Sequence, residues 1–306
     1  MNHINHVVRS SVSFTLRHTP DVPGRWSIAH FFNRRFPPTD GSTVWAQMRL
    51  GHEMKVDLKS RLEFRAYYTG DYDTSAIRSA MRMLRPDSVV FDIGANIGFW
   101  SIPLGLRVKE NGCVYSFEPV PANYRRLGEN VRRNSLTTTV RPHQLGLSDH
   151  NGSLQISLRE DFSMGAETGN AAIVIDSEDL KFTCSEIPVN SLDDIFDSLG
   201  AKRVDFIKID IEGHEDKFLA GAAGVIRRFR PILYLEINDS YYRRRGLDPT
   251  VVFESWMNLQ SYQSALRGKG GWHLETIRKR RPLMDNAFFF PTEIAGDCIG
   301  RLNLRT

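Results

Sequence analysis

The sequence predicts an α/β fold with a doubly wound, mostly parallel, Rossmann-like sheet. The first observation is a mostly apolar run, residues 89–93, followed by Gly94 and Gly98 and then by an apolar stretch that starts a helix. The second is the apolar run 204–209, which ends at Asp210. A strand, a glycine turn and a helix together form a nucleotide-binding crevice, and such sheets bind ligands at the C-terminal ends of their strands.

The glycine turn departs from the dinucleotide-binding pattern. Residues 92–98 read Asp-Ile-Gly-Ala-Asn-Ile-Gly, so Asn96 and Phe99 occupy two positions where the fingerprint G-x-G-x-x-G has glycine. This disfavours NAD and FAD. Asp92 ends the strand before the first glycine, where it can meet the ammonium of an amino-acid-like ligand, which suggests S-adenosylmethionine (SAM). An ordinary strand-to-helix turn is the alternative, and these seven residues alone favour neither.

Two acids follow the next strands of the predicted sheet. Glu118 ends the strand 113–117 and lies 20 residues beyond Gly98. An acid at this place accepts hydrogen bonds from ribose hydroxyls, because a carboxylate offers two acceptor oxygens. Asp149 follows the third strand, near 140–147, where it can meet an adenine amino group. It can equally be an Asx-turn residue.

The strand 204–209 ends in a group of acids and a histidine. Asp210 and Glu212 should face the same crevice as Asp92, because the first and fourth strands of a doubly wound sheet flank the ligand site. His214 is a candidate general base, since the ordinary pKa of histidine, about 6.5, lies near working pH. The alternative is a helix N-terminus with favourable acids, which explains Glu215 well.

The fifth strand, residues 231–238, carries Glu236 and Asn238 near its end. With Asp210 beside them, these side chains offer the hard oxygen donors that a divalent metal prefers. A metal is therefore possible at this edge, but the sequence does not lead us to expect one.

Composition limits the class of protein. The chain has 306 residues, 41% of them hydrophobic, and a formal net charge of +4. We interpret the basic runs in the last third as solvated faces, and nucleic acid is an unlikely partner on this interpretation. The three cysteines are far apart and form neither a zinc spacing nor a disulfide framework. With no apolar leader and no run long enough to span a membrane, we expect a cytoplasmic protein.

We divide the chain into an N-terminal arm, residues 1–44, and one α/β domain, residues 45–306. The arm is polar and interrupted by prolines, so we predict little regular structure in it. Within the domain, residues 74–240 form the core with five mostly parallel strands, and residues 241–306 close the sheet.

Three smaller segments complete the predicted architecture. Residues 45–68 form a hairpin, and an antiparallel pair at 272–277 and 287–290 brings the sheet to seven strands. Residues 152–190 are an inserted antiparallel segment, because three alternating stretches interrupt the strand–helix order. Their glycine-bearing loop, 162–170, is a candidate lid over the ligand.

With these motifs placed in order, the chain resembles the FkbM family of SAM-dependent methyltransferases over about residues 50–240, and more loosely at 286–291. The segments that carry the resemblance are Tyr68-Thr69-Gly70-Asp71-Tyr72, Phe91 to Gly98, Phe117-Glu118-Pro119, Leu147-Ser148-Asp149 and Ile207 to Glu215. Gly146 stands where the family often has alanine, and His214 lies at a variable position of the family's Asp-x-Glu-Gly-x-Glu motif.

The resemblance implies a class I methyltransferase fold and methyl transfer from SAM to a hydroxyl of a sugar, glycan or secondary metabolite. The residues expected to bind SAM are Asp92, Gly94, Asn96, Gly98, Glu118 and Asp149, and those expected to handle the acceptor are Asp210, Glu212 and His214. The alternatives are a nucleic-acid methyltransferase on the same fold, or a non-catalytic partner domain. Against the former, neither an Asn/Asp-Pro-Pro-Tyr motif nor a Pro-Cys nucleophile is present.

Overall fold

The structure is a computed structural model, which describes residues 2–19, 24–37, 42–268, 271–275, 277 and 284–303. In chain order, its helices and strands are α1 (Asn2–His18), α2 (Arg25–Arg35), β1 (Thr43–Gln47), β2 (Glu53–Asp57), α3 (Arg61–Thr69), α4 (Thr74–Met83), β3 (Val89–Ile93), α5 (Ser101–Val108), β4 (Cys113–Phe117), α6 (Pro121–Arg133), β5 (Val140–His143), β6 (Gly146–Leu147), β7 (Gly152–Leu158), α7 (Glu160–Ser163), β8 (Ala171–Ile173), β9 (Thr183–Asn190), α8 (Leu192–Ile195), β10 (Phe206–Ile209), α9 (Glu215–Gly221), α10 (Ala223–Phe229), β11 (Ile232–Asn238), α11 (Asp239–Arg244), α12 (Pro249–Gln260), β12 (Tyr262–Gly268), β13 (Gly271–Leu274), β14 (Met284–Pro291) and α13 (Ala295–Asn303).

The central sheet confirms the doubly wound prediction. Its strand order is β13-β12-β14-β11-β10-β3-β4-β5, and β11, β10, β3, β4 and β5 are parallel. From β3 the chain winds outward through β4 and β5, and it then returns to place β10 on the other side of β3. Residues of β3, β4 and β10 are almost all buried, as expected for parallel strands covered on both faces. The switch between β3 and β10 leaves a crevice at their C-terminal ends.

The closing part of the sheet has one strand more than predicted. We expected strands at 272–277 and 287–290, and the structure has β13 and β14 there, although part of the range around 277 lies outside the described residues. The strand that sequence analysis missed is β12, which pairs antiparallel with both β13 and β14. Its sequence, Tyr-Gln-Ser-Ala-Leu-Arg-Gly, lacks the β-branched residues typical of strands. The described sheet therefore has eight strands rather than seven.

The N-terminal arm is helical, so the prediction of little regular structure there is wrong. Helix α1 precedes the first proline of the arm, Pro20, and α2 lies between Pro23 and Pro37. Ser13 Oγ of α1 donates a hydrogen bond of 2.6 Å to the main-chain oxygen of Tyr67 in α3, and Leu16 joins the core. Tertiary packing of this kind stabilises helices that local sequence alone leaves marginal. The domain boundary at residue 44 stays a prediction.

The predicted hairpin at 45–68 is β1 paired antiparallel with β2, but its last part is a helix. Ser60 begins α3, because its side chain accepts a hydrogen bond from the main-chain nitrogen of Glu63. Gly70, with a φ of 64°, ends that helix. The helix α3 thereby lies beside the crevice.

The insertion forms its own four-stranded sheet, in the order β6-β9-β7-β8. The three predicted strands correspond to β7, β8 and β9. A small apolar cluster of Val120, Ile156, Ile187 and Val189 packs this sheet against the domain beside the crevice. Within the described ranges, no helix has both the length and the apolar character needed to cross a membrane.

Candidate active site

A cavity of about 650 Å³ lies at the C-terminal ends of β3, β4, β10 and β11. The insertion covers one side of it through residues of β7, β8 and β9, and β12 to β14 contribute Arg267, Trp272 and Asn286. Six of the nine predicted site residues line this cavity, namely Gly94, Asn96, Glu118, Asp210, Glu212 and His214. Asp92, Gly98 and Asp149 do not line it.

The two glycines of the turn are required by packing within the protein. Gly94 has a φ of +74°, and a Cβ atom there would lie 1.9 Å from the main-chain oxygen of Asp210. Gly98 has a φ of +99°, and a Cβ atom there would lie 2.7 Å from Leu127 Cδ1 of α6. Gly94 thus lets the ends of β3 and β10 approach each other, whereas Gly98 lets α6 approach the turn. The sequence suggested instead that both glycines admit a ligand.

Asn96 and Glu118 form the part of the cavity at the end of β4. Asn96 adopts a left-handed backbone, with a φ of 49°, which asparagine tolerates better than most residues. Its main-chain nitrogen donates a hydrogen bond of 2.8 Å to Glu118 Oε2. The other carboxylate oxygen of Glu118 accepts from the main-chain nitrogen of Val120 at 2.9 Å and from Asn123 Nδ2 at 3.4 Å. The Glu118 carboxylate is therefore held in one orientation.

Burial raises the pKa of Glu118 to about 7, although the hydrogen bonds from Val120 and Asn96 oppose this rise. Each carboxylate oxygen can accept more than one hydrogen bond. Hydroxyl donors in the cavity would favour the charged form of Glu118 and lower its pKa. The geometry suits the binding of two adjacent hydroxyl groups.

Asp92 lies behind the cavity rather than in its wall. Its carboxylate is fully buried, and Oδ2 accepts a hydrogen bond of 2.5 Å from Ser101 Oγ at the start of α5. Oδ1 lies 3.5 Å from Lys208 Nζ. Asp92 thus holds the start of α5 through Ser101 and pairs with the buried ammonium of Lys208. Its direct contact with a ligand ammonium stays a prediction.

Lys208 is a site residue that sequence analysis missed. Its ammonium lies 3.3 Å from Asp210 Oδ2 and donates a hydrogen bond of 2.9 Å to the main-chain oxygen of Gly94. Burial lowers the pKa of this lysine, but Asp210 and Asp92 outweigh that effect and raise the pKa above its ordinary value. The sequence did carry a signal for this residue, namely a lysine within the predicted buried strand 204–209. Burying an unpaired charge is unfavourable, so such a lysine indicates acidic partners nearby.

Three carboxylates meet at the ends of β10 and β11. Asp210, Glu212 and Glu236 each offer an oxygen, and these oxygens lie within 4.8 Å of one another. The negative charge of Asp210, followed by burial, raises the pKa of Glu236 to about 10, so Glu236 keeps its proton at neutral pH. Burial and then Asp210 raise the pKa of Glu212 to about 7.

This acid cluster can hold a proton or a cation, because like charges at this distance destabilise each other. The oxygen set is also one that a divalent metal accepts. The sequence placed Asn238 in such a set, but Asn238 Oδ1 instead accepts a hydrogen bond from the main-chain nitrogen of Ser240 and begins α11. The third member of the set is Glu212 instead. Its backbone is left-handed, with a φ of 54°, and turns the chain sharply after β10.

The remaining two predicted residues lie side by side at the edge of the site. His214 lines the cavity, and its Nε2 lies 2.9 Å from Ser148 Oγ. Burial lowers the pKa of His214 to about 4, so it is neutral at pH 7 and a weaker base than a free histidine. Asp149 is hydrogen-bonded to His150 and Lys217. Burial opposes its charge, but these partners hold the pKa of Asp149 below its usual range.

The aromatic turn before α4 forms another wall of the cavity. Tyr72 stacks on Phe99, with ring centroids 4.1 Å apart and an angle of 9° between the ring planes. Burial, and then the negative charge of Asp210, raise the pKa of the Tyr72 hydroxyl well above its ordinary value. Tyr72 lines the cavity, so this part of the wall is aromatic.

Residues 167–170 of the predicted lid form a strap across the cavity. Asn123 Nδ2 donates to the main-chain oxygen of Gly169 at 2.9 Å, and Thr168 Oγ1 donates to Glu63 Oε1 at 2.6 Å. Asn170 accepts a hydrogen bond of 3.3 Å from Asn96 and donates one of 3.3 Å to Glu212. The strap therefore joins the Glu118 end of the cavity to the acid cluster.

The chain is similar to a known protein family and to several known proteins. A sequence profile described as methyltransferase FkbM domain matches residues 92–266, more than half of the chain. The hexuronic acid methyltransferase AglP of Haloferax volcanii is 26% identical over 180 residues, which cover 59% of this chain and 66% of AglP. The 31-O-demethyl-FK506 methyltransferase FkbM of Streptomyces tacrolimicus is 28% identical over 165 residues, which cover 45% of this chain and 60% of that protein.

Solved structures include methyltransferase FkbM from Methylobacillus flagellatus KT, which is 21% identical with a TM-score of 0.45, over 74% of this chain and 52% of that one. The chain spans less than two thirds of the length of the curated relatives described above. The profile match carries the assignment, because it includes the glycine turn, Glu118 and the acid cluster. The chain belongs to the FkbM methyltransferase family.

Proposed function

We propose that this protein transfers a methyl group from SAM to a hydroxyl of a sugar, glycan or secondary metabolite. One observation carries the proposal, namely that a single cavity has two chemically different ends. At one end Glu118 presents a carboxylate fixed by hydrogen bonds. At the other end Asp210, Glu212 and Glu236 form an acid cluster.

The residues around Glu118 fit SAM. The buried carboxylate of Glu118 suits a pair of ribose hydroxyls, which donate hydrogen bonds to it. The turn at Gly94 and Asn96 lies between Glu118 and Asp210, so the methionine part would extend along it toward the acids. Carboxylates there suit a ligand that carries both an ammonium and a sulfonium charge.

When bound, SAM supplies an electrophilic methyl group on its sulfonium. The task of the protein is to align the acceptor oxygen, to exclude water and to take the hydroxyl proton. Asp210 and Glu212 are the proposed proton acceptors, because both line the cavity and Glu212 has a pKa of about 7. We give His214 a lesser part, because its pKa of about 4 makes it a poor base at neutral pH.

Metal ions are not needed for this proposal. Lys208 already places a cation 3.3 Å from Asp210, and Glu236 keeps its proton beside it. The names of two relatives, a hexuronic acid methyltransferase and a 31-O-demethyl-FK506 methyltransferase, support a sugar or a secondary metabolite as acceptor. An assay with and without EDTA tests the role of a metal.

The cofactor is tested by calorimetry with SAM. We expect Glu118→Ala to weaken SAM binding by about 10- to 100-fold, because charge-assisted hydrogen bonds contribute about 1.5–3 kcal/mol. The matched control is Glu110→Ala, which removes an exposed glutamate outside the cavity lining and should leave the affinity unchanged. Unchanged affinity in Glu118→Ala refutes the ribose assignment, and no SAM binding by the wild type favours a non-catalytic partner domain.

The reaction is tested by mass spectrometry with SAM and a panel of hydroxylated sugars and macrolides. The expected result is a product heavier by one methylene, together with S-adenosylhomocysteine. Methylation of RNA or DNA in the same assay, with strong dependence of binding on salt, would instead support a nucleic-acid methyltransferase.

A further inference from the structure

A second cavity, of about 470 Å³, adjoins the first. Leu62, Arg65 and Asn170 line both cavities and therefore form the boundary between them. Helix α3 bounds the second cavity on one side, and residues 159–161 of the insertion bound it on another. None of the predicted site residues lies in its wall.

Unlike the three carboxylates of the acid cluster, the wall of the second cavity includes basic side chains. Three arginines line it, Arg61, Arg65 and Arg159, against the two carboxylates of Glu160 and Asp161. The Asp161 carboxylate is already engaged within the protein. Its Oδ2 accepts a hydrogen bond of 2.7 Å from Ser60 Oγ, and its Oδ1 accepts one of 3.0 Å from the main-chain nitrogen of Arg61.

The three arginines bring guanidinium groups to the wall of one cavity. Arg61 and Arg65 lie one turn apart on the exposed face of α3, so their side chains point to the same side. Arg159 is held in place by its ion pair of 2.8 Å with Asp179 and by the ring of Phe182, which lies 5.6 Å from its guanidinium carbon. Guanidinium groups bind carboxylates and phosphates through two parallel hydrogen bonds.

We infer that the second cavity binds an anionic group of the methyl acceptor, a carboxylate or a phosphate on a sugar. This inference rests on the proposed function. The anion would lie against Arg61 and Arg65, while the hydroxyl to be methylated reaches Asp210 past Asn170. An acceptor anion in the second cavity is kept away from the carboxylates of the acid cluster, which would repel it if it lay in the same cavity.

The test is a calorimetric titration of the protein with three sugars. Methyl β-D-glucuronoside carries a carboxylate, glucose 6-phosphate carries a phosphate, and methyl β-D-glucoside is neutral. We expect at least one anionic sugar to bind about tenfold more tightly than the neutral one, and the stronger of the two identifies the anion. Arg61→Gln and Arg65→Gln should each weaken that binding by about three- to tenfold, because each removes one charge-assisted contact.

The matched control is Arg125→Gln, an exposed arginine of α6 outside the cavity linings, which should bind like the wild type. Equal binding of neutral and anionic sugars, absence of binding, or no effect of Arg61→Gln and Arg65→Gln relative to Arg125→Gln overturns the inference. SAM binding by the same protein is measured separately. If SAM binds without an anion preference, only the inference fails. If SAM does not bind while the preference holds, the proposed function fails, and the cavity remains an anion site without a methyl acceptor.

Discussion

The two ends of the main cavity hold their buried carboxylates in different ways. At the β4 end, Glu118 has hydrogen-bond partners for both carboxylate oxygens, and its neighbours fix its orientation. At the β10 end, Asp210, Glu212 and Glu236 lie close together. Burial and then the charge of Asp210 raise the pKa of Glu212, and the charge of Asp210 and then burial raise that of Glu236. The first end is suited to holding a ligand in place. The second is suited to exchanging a proton, because small changes in charge there change which group is ionised.

The largest expected difference between the two ends is in turnover. Asp210→Asn should lower kcat by about 10²- to 10⁴-fold, the usual contribution of a positioned base, and this loss should exceed any loss of SAM affinity. The measurement is steady-state kinetics together with calorimetry. His214→Ala should lower kcat by less than about tenfold. Asp197→Asn, at an exposed aspartate outside the cavity lining, is the control, and normal turnover in both Asp210→Asn and His214→Ala would place the base elsewhere.

The close approach of Gly94 to the main-chain oxygen of Asp210 should affect the stability of the fold. Gly94→Ala places a Cβ atom 1.9 Å from the Asp210 oxygen, so we expect a loss of about 3 kcal/mol or more in the free energy of unfolding. Gly200→Ala is a matched control, because Gly200 has a similar φ of +71° with no atom within 4 Å of the added Cβ. It should cost about 1–2 kcal/mol, from backbone strain alone. Equal losses in urea unfolding would show that the close approach has no cost of its own.

We expect kcat to increase with pH, because Glu212 at the β10 end loses its proton as the pH rises. Because burial and Asp210 raise the pKa of Glu212 to about 7, its carboxylate gains the charged, proton-accepting form as the pH rises through 7. We therefore expect kcat to rise about tenfold between pH 6 and pH 8, as for one ionising group. Glu212→Gln should remove this rise. A pH profile that is flat in the wild type, or unchanged in the variant, contradicts the prediction.

The smallest expected effect concerns Asp149. Sequence analysis predicted an adenine contact there, but its carboxylate lies outside the cavity wall and pairs with Lys217 at 2.9 Å. Asp149→Asn should leave SAM affinity within about twofold of the wild type and reduce stability by no more than about 1 kcal/mol, as for exposed ion pairs. Calorimetry decides, and a tenfold loss of SAM affinity would restore the adenine prediction.

The sequence could predict residues whose place follows from chain order alone. Glu118 ends the strand after the glycine turn, and the ends of parallel strands share one edge of the sheet, so its position in the cavity was predictable. Asp210 followed from the same reasoning. The order of the five parallel strands was predictable for this reason too, whereas β12 lacked a strand-like composition.

The sequence could not predict contacts that depend on distant segments. Asp92 faces Ser101 and Lys208 rather than the cavity, because the pleat directs successive side chains to opposite faces. The left-handed backbone of Glu212 is rare for a residue other than glycine. Helix α1 of the arm packs against α3, which lies more than 40 residues further along the chain. No local pattern contains that information.

The paired ends of the insertion make it exchangeable as a module. Gly146 and Leu147 of β6 pair in parallel with Val189 and Asn190 of β9, so the chain leaves the domain and returns to it at neighbouring points. Segments whose ends lie together can be replaced with little strain on the remainder of a fold. Replacing residues 148–188 with the corresponding segment of a relative would therefore exchange one wall of the main cavity, while the strand ends that carry Glu118 and Asp210 stay in place.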